Sequence, residues 1–375
     1  MIAARIFLVI PLVAFAQPKR ARDLGVPFEG TPGSWNAITD VAGVEVGHTT
    51  LIEGESVRTG VTVVWPRGKQ SDDPTFGGWF ALNGNGEMTG TTWLEESGFL
   101  DGPVMITNTH SVGVVRDAYI SWQVEHKRKP GTNSFGGGFW SLPIVAETYD
   151  GFLNETNGFH VKPAHVHQAL DSAASGRVQE GNVGGGTGMI CFGFKGGIGT
   201  ASRVAGPYKV AALVQCNCGA KRQLRIAGAP VGQELANQPL ASVAQPREDT
   251  GSIIIVVATD APLLPTQTKR LARRASLGLA RLGATSGNGS GDIFIAFSTA
   301  NPNVAKPPGA TATLTMLPND LLGPIFDATV QSVEEAIVNA LVAAEDMTGV
   351  EGHKVTALPH DDLQRILRKY NRLPN

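Results

Sequence analysis

The sequence predicts an α/β fold with helices layered on a sheet, and three observations carry that prediction. Short apolar runs closed by glycine, asparagine or charged residues recur along the chain, as strands do. Two long segments in the C-terminal third repeat their apolar residues at helical spacing. These helices alternate with strand candidates in the order strand, helix, strand, strand, helix, which calls for helices packed on a sheet. The 375 residues suffice for one large domain or two smaller ones, with a sizeable core. The 46 glycines, about twice the usual share, are spread through the chain and read as tight turns between many short strands.

The elements follow in order. Arg5, the apolar run from Ile6 to Ala16 and the small-residue end Ala14-Phe15-Ala16 match a secretory signal removed after about residue 16. The run is too short to span a bilayer. A buried N-terminal strand or helix is the alternative. The signal reading gives residues 1–16 as signal peptide, residues 17–375 as a single domain, a periplasmic or secreted location and no stable membrane anchor. Residues 17–35 are polar and rich in proline and glycine. Val41 to Val46, Val61 to Val64 and Val104 to Thr107 read as strands, and Val161 to Ala174 as a weak helix. The stretch from Val231 to Thr250 has neither periodicity, contains Pro239 and Pro246, and reads as an exposed loop where a chain tolerates cutting.

Beyond it, Ser252 to Thr259, Asp292 to Thr299 and Ala310 to Met316 are strand candidates. Between the first two, Pro265 to Leu282 sets Leu271, Ala275, Leu279 and Leu282 on one helical face, with Lys269, Arg270, Arg273, Arg274 and Arg281 elsewhere. Phe326, Val330, Val333, Ile337 and Leu341 step by four, three, four and four, an amphipathic helix.

With 31 basic against 33 acidic residues the net charge is −2, which supplies no general attraction for nucleic acid or anionic membrane and suits small or neutral substrates. Cys191, Cys216 and Cys218 are odd in number and lie in or beside apolar runs. They read as small buried hydrophobes before they read as metal or redox groups. The glycine clusters at 184–188 and 196–199 fit neither G-x-G-x-x-G nor a P-loop, and read as turns and close strand packing. His165 and His167 would share a face only on a strand, and no third metal ligand lies near them. His110, among polar residues at the end of an apolar run, reads as cleft-lining, but no G-x-S-x-G elbow exists to partner it. Asn154 and Asn288 match the short glycosylation pattern, which alone means little.

One junction carries chemistry. At Thr250-Gly251-Ser252-Ile253 a polar stretch gives way directly to the apolar run 253–257, and Gly289-Ser290-Gly291-Asp292 later leads into another. Gly-Ser before a strand is ordinary turn chemistry. A serine at the head of a buried strand, with the chain cut before it, would instead carry nucleophile and α-amine on one residue.

The segment 251–263, Gly-Ser-Ile-Ile-Ile-Val-Val-Ala-Thr-Asp-Ala-Pro-Leu, closely resembles the serine aminopeptidases that include L-aminopeptidase/D-amino-acid esterase (DmpA) and the β-peptidyl aminopeptidases. The resemblance continues through residues 21–31, 35–41, 44–50, 145–151, 184–189, 213–217 and 290–294, so it covers nearly all of the chain after the signal segment. It implies a four-layer α/β/β/α sandwich like that of N-terminal-nucleophile hydrolases, with DmpA/ornithine-acetyltransferase-type connectivity. It also implies self-cleavage between Gly251 and Ser252 into a large chain 17–251 and a small chain 252–375.

Carried over by position, Ser252 is the nucleophile, with Ser290 and Asp292 as its partners. Asn217 is the oxyanion donor, and Tyr149 a hydroxyl near the tetrahedral centre. Some relatives carry glutamate where Asp292 stands. The implied activity is release of an N-terminal L-α, D-α or β-amino acid from small peptides, amides or esters, with no cofactor and no metal, by a homo-oligomer, a tetramer of paired chains. An ornithine-acetyltransferase-like acyl transferase shares the fold but usually has a threonine nucleophile, and a non-catalytic exported binding protein is the alternative from another class.

Overall fold

The computed structural model describes residues 19–126, 139–236 and 251–374. The signal segment 1–16 and most of the 231–250 loop lie outside the described residues. In chain order come β1 (Glu45–Glu53), β2 (Val57–Trp65), β3 (Thr75–Ala81), α1 (Thr91–Ser97), β4 (Phe99–Leu100), β5 (Val104–Asn108), α2 (Val112–His126), β6 (Ile144–Thr148) and α3 (Pro163–Ser172). Then follow β7 (Ile190–Cys191), β8 (Phe194–Lys195), β9 (Gly197–Ala205), β10 (Tyr208–Asn217) and α4 (Val231–Glu234). The last stretch holds β11 (Ser252–Thr259), α5 (Pro265–Arg281), β12 (Ile293–Ser298), α6 (Gly323–Ala343) and α7 (His360–Lys369).

Two mixed sheets result, ordered β1-β2-β5-β6 and β4-β3-β12-β11-β10-β9. The period-2 alternation of β11 shows how they stack. Ile253, Ile255 and Val257 pack with Leu271, Ala275 and Leu279 of α5 and Val333 and Ile337 of α6. Ile254, Val256 and Ala258 turn the other way, to Val64, Ile106 and Ala146 of the first sheet. On the far side of that sheet, Val61, Val63, Met105 and Val145 pack against Val115 and Trp122 of α2 and Val166 and Leu170 of α3. The four layers are therefore α/β/β/α. Because β11 is covered on both faces, it reads as an unbroken apolar run.

Helix α6 departs from the amphipathic expectation, since it is buried on nearly every side. Its polar residues are satisfied inside: Ser332 donates to the Val210 carbonyl, Asn339 to the Thr200 carbonyl, and Glu335 accepts from Arg22 and Arg203. Gly199 of β9 lets the helix lie close, because a Cβ there would stand 2.0 Å from the Ala336 carbonyl oxygen.

Three expectations are corrected. Residues 310–316 are exposed and form no strand. Ala310 and Ala312 offer little surface to bury, and Thr315 is held by the Asn301 side chain at both its N–H and its carbonyl. The 231–250 loop begins as the short helix α4, with Val231 and Leu235 buried one turn apart. The strand expected from Val41 starts only at Glu45, after a turn. His165 and His167 lie on α3, where i and i+2 diverge: His165 Nδ1 accepts from the Lys162 N–H, and His167 Nε2 lies 3.2 Å from Ser121 Oγ.

Candidate active site

Sheet topology brings distant residues to one place. Ser252 opens β11 and Asn217 closes β10, and in the antiparallel register the two are direct cross-strand partners. From β11 the chain crosses over through α5 and returns as its parallel neighbour β12, so the two strands start side by side. That return sets Ser290-Gly291-Asp292 beside Ser252.

The contacts are short and buried. Gly291 N–H donates to Ser252 Oγ at 3.0 Å. Ser290 Oγ donates to Asp292 Oδ1 at 2.6 Å, and the same oxygen accepts the Ile253 N–H at 3.2 Å. Asp292 N–H donates to Asn83 Oδ1 at 2.6 Å, which ties the turn to the residues following β3. Two glycines permit the approach. A Cβ on Gly291 would stand 2.4 Å from the Asn85 carbonyl oxygen, and one on Gly251 would stand 2.0 Å from the Asn217 carbonyl oxygen.

The orientation of the Asn217 amide follows from its neighbours. Its Oδ1 accepts the Ile190 N–H at 2.8 Å, and its Nδ2 donates to the Tyr149 carbonyl at 3.0 Å. An N–H can only donate and a carbonyl can only accept, so the amide is not reversible here, and among the described residues the second Nδ2 hydrogen is left for another acceptor. Tyr149 meets Asn217 through its backbone. Its ring is 55% exposed and folded over Gly151, where an added Cβ would meet the hydroxyl at 2.1 Å.

One group in this region was not singled out by sequence. Glu147, buried at the end of β6, accepts from the Glu87 N–H at 3.0 Å and from the Thr109 hydroxyl. Burial pushes its carboxyl above the usual range, opposed by those hydrogen bonds. Gly86 stands between it and the serine loop, since a Cβ there would lie 3.0 Å from Gly291 Cα and 3.4 Å from Glu147 Oε1. The available signal was an acidic residue inside the apolar run of β6. Beyond it His110 stacks on the exposed Phe159 with ring centroids 5.9 Å apart, so His110 lies near Glu147 and makes no contact with Ser252 among those described.

The cysteines are buried as expected, yet more than filler. Cys191 and Cys216 form a disulfide with Cα atoms 5.8 Å apart, and Cys218 Sγ lies 3.9 Å from each of their sulfurs. The odd count concealed this pair.

Known proteins resemble this chain over nearly its whole length. Residues 36–355 match the model of peptidase family S58. The chain belongs to that family. It is 56% identical to the β-peptidyl aminopeptidase BapA of Sphingosinicella microcystinivorans, over 96% of this chain and 94% of that one. It is 45% identical to the BapA of Sphingosinicella xenopeptidilytica, over 98% and 95%. Among solved structures, the L-aminopeptidase D-Ala-esterase/amidase of Ochrobactrum anthropi, described as a new variant of the Ntn hydrolase fold, superposes with a TM-score of 0.87 at 49% identity, covering 95% of this chain and 99% of that one. A β-aminopeptidase from a Burkholderia species gives 0.85 at 48% identity, over 94% and 99%. This family S58 member is an aminopeptidase with an Ntn-hydrolase-like α/β/β/α fold, which sets aside the acyl-transferase and non-catalytic alternatives.

Proposed function

We propose that this chain is an exported, self-processing serine aminopeptidase that cuts its own Gly251–Ser252 bond and then releases N-terminal amino acids through an acyl-enzyme on Ser252. The observation that carries the reading is the meeting of Ser252 with Gly291 N–H, the Ser290–Asp292 pair and Asn217 at the head of one buried strand.

In self-cleavage, Ser252 Oγ attacks the Gly251 carbonyl carbon. The C–N bond breaks, its nitrogen gains a proton and becomes the α-amine, and water hydrolyses the resulting ester. Before cleavage that nitrogen is an amide and no base. Afterwards its reference pKa of about 7.7–8.0 leaves a useful fraction unprotonated near neutrality, able to take the Oγ proton as Ser252 attacks a substrate carbonyl. Asp292 and Ser290 orient and balance the ammonium form. The second Nδ2 hydrogen of Asn217 meets the oxyanion, and the exposed Tyr149 side chain swings in to add its hydroxyl. Release of the leaving amine and attack of water return the free enzyme.

An aminopeptidase must also hold the substrate's own ammonium. Glu147, one residue's width from the loop that binds Ser252 Oγ, is the buried carboxylate suited to it. The two BapA relatives are β-peptidyl aminopeptidases by name, and the Ochrobactrum relative an L-aminopeptidase and D-Ala esterase/amidase. The purified protein is to be assayed with β-alanyl, D-alanyl and L-alanyl p-nitroanilides beside Ser252→Ala. Turnover of the β-alanyl compound by the wild type alone supports the reading. No turnover of any of the three, or equal turnover by the variant, sinks it.

A further inference from the structure

We propose that the Cys191–Cys216 disulfide is a positioning device for Asn217. The inference rests on the reading of Asn217 as the oxyanion donor. Three consecutive residues, 190 to 192, are tied to three consecutive residues, 216 to 218. Cys191 is bonded to Cys216, Ile190 N–H donates to Asn217 Oδ1 at 2.8 Å, and Phe192 N–H donates to the Cys218 carbonyl at 2.6 Å. The bridge therefore sits one residue from Asn217 on β10 and one residue from Ile190 on the partner segment.

Residues 190 to 195 form a hairpin of two two-residue strands, β7 and β8, with a short ladder of its own. The buried Phe192 and Phe194 and the Lys195 N–H to the Thr356 carbonyl hold its far end, and the bridge holds the end beside Asn217. Asn217 depends on that end, because the Ile190 N–H engages Oδ1 and so aims Nδ2 at the Tyr149 carbonyl, while Asn217 is the cross-strand partner of Ser252. With the covalent link gone, the Ile190 end of the hairpin shifts, Oδ1 loses its donor, and the amide rotates away from the developing oxyanion. Substrate binding, which the Glu147 side governs, is left alone. The sulfurs of all three cysteines lie within 4.8 Å of one another and are buried, so they would also satisfy a soft metal ion if none were bonded. The bridge uses two of them and leaves no three-thiolate site.

The test has two parts. Thiols are counted in denatured protein before and after reduction: one before and three after supports the bridge, and three before, with or without bound zinc, overturns it. Steady-state kinetics then compare the wild type with the Cys191→Ala/Cys216→Ala variant, with Cys218→Ala as control. The expected result is a kcat about ten- to a hundredfold lower with KM unchanged, short of the roughly 10²–10³ lost when a donor is deleted. Cys218→Ala should stay near wild type. In an Asn217→Ala background, loss of the bridge should lower kcat no further.

A bridgeless enzyme with normal kcat and only a lower melting temperature overturns the inference while Asn217→Ala remains impaired. A normal kcat for Asn217→Ala overturns the underlying reading and the inference with it. Should the double variant not accumulate, wild-type enzyme is compared before and after trialkylphosphine, and two new thiols with unchanged kcat give the contrary answer.

Discussion

The two sheets meet at the site with opposite character. At the β10–β11–β12 end, Asn217, Ser252, Ser290 and Asp292 are buried, and each is fixed by a hydrogen bond or a glycine that nothing larger could replace. At the β5–β6 end, Tyr149 and Phe159 are more than half exposed, while Glu147 is shut away behind Gly86. Under the proposed function the difference separates tasks: bond-making needs atoms held to a fraction of an ångström, whereas recognition needs room and one charge. On that reading, kcat rests on the second sheet with the Tyr149 hydroxyl, and KM on Glu147 of the first.

The largest expected effect is at the nucleophile. Ser252→Ala should leave an uncut chain with no detectable turnover, and a cut or active variant would break the division at its root. Next is Asn217→Ala, which should cost about 2.7–4 kcal/mol of transition-state stabilisation with KM little changed. A KM effect of equal size would move Asn217 to the recognition side.

The third prediction concerns acid stability and places a weak point in the first sheet. His48 of β1 contacts Thr62 Oγ1 through Nδ1 at 3.0 Å, while its Nε2 is buried with no hydrogen-bond partner among the described residues. Burial lowers its pKa from 6.5 to about 4. A folded-state pKa below the unfolded value gives stability that is present above pH 6.5 and lost as pH falls through 4, about 3 kcal/mol in all. His48→Asn should flatten that part of the stability profile in urea unfolding, and an unchanged profile would remove His48 as its cause.

The smallest effect is at the recognition side. Glu147→Gln should raise KM several-fold with kcat nearly kept. In the wild type KM should rise on acidification at a pH above the usual carboxylate range, because burial raises the Glu147 pKa. Below about pH 7.7–8.0, kcat should fall separately as the α-amine protonates. A single titration shared by kcat and KM would merge the two regions.

The sequence revealed what local pattern encodes. Ser252 to Thr259 and the α5 helix stand where apolar runs and helical spacing put them, and the sheet topology brings Ser252, Ser290, Asp292 and Asn217, the residues the resemblance named, to one sheet end. Pattern alone failed where pairing decides. Ala310 to Met316 alternates like a strand yet finds no sheet edge, and α6 hides polar residues inside a core that supplies their partners. The Cys191–Cys216 bridge and the Glu147 carboxylate are tertiary facts, set by a hairpin and a glycine contact that spacing does not express.

The central claim is that cleavage before Ser252 creates the catalytic amine. Intact mass and N-terminal sequencing of purified wild-type protein, beside Ser252→Ala, test it most directly. The account predicts two wild-type chains, one beginning at Ser252, and a single chain in the variant. A single, active wild-type chain that still joins Gly251 to Ser252 would contradict it.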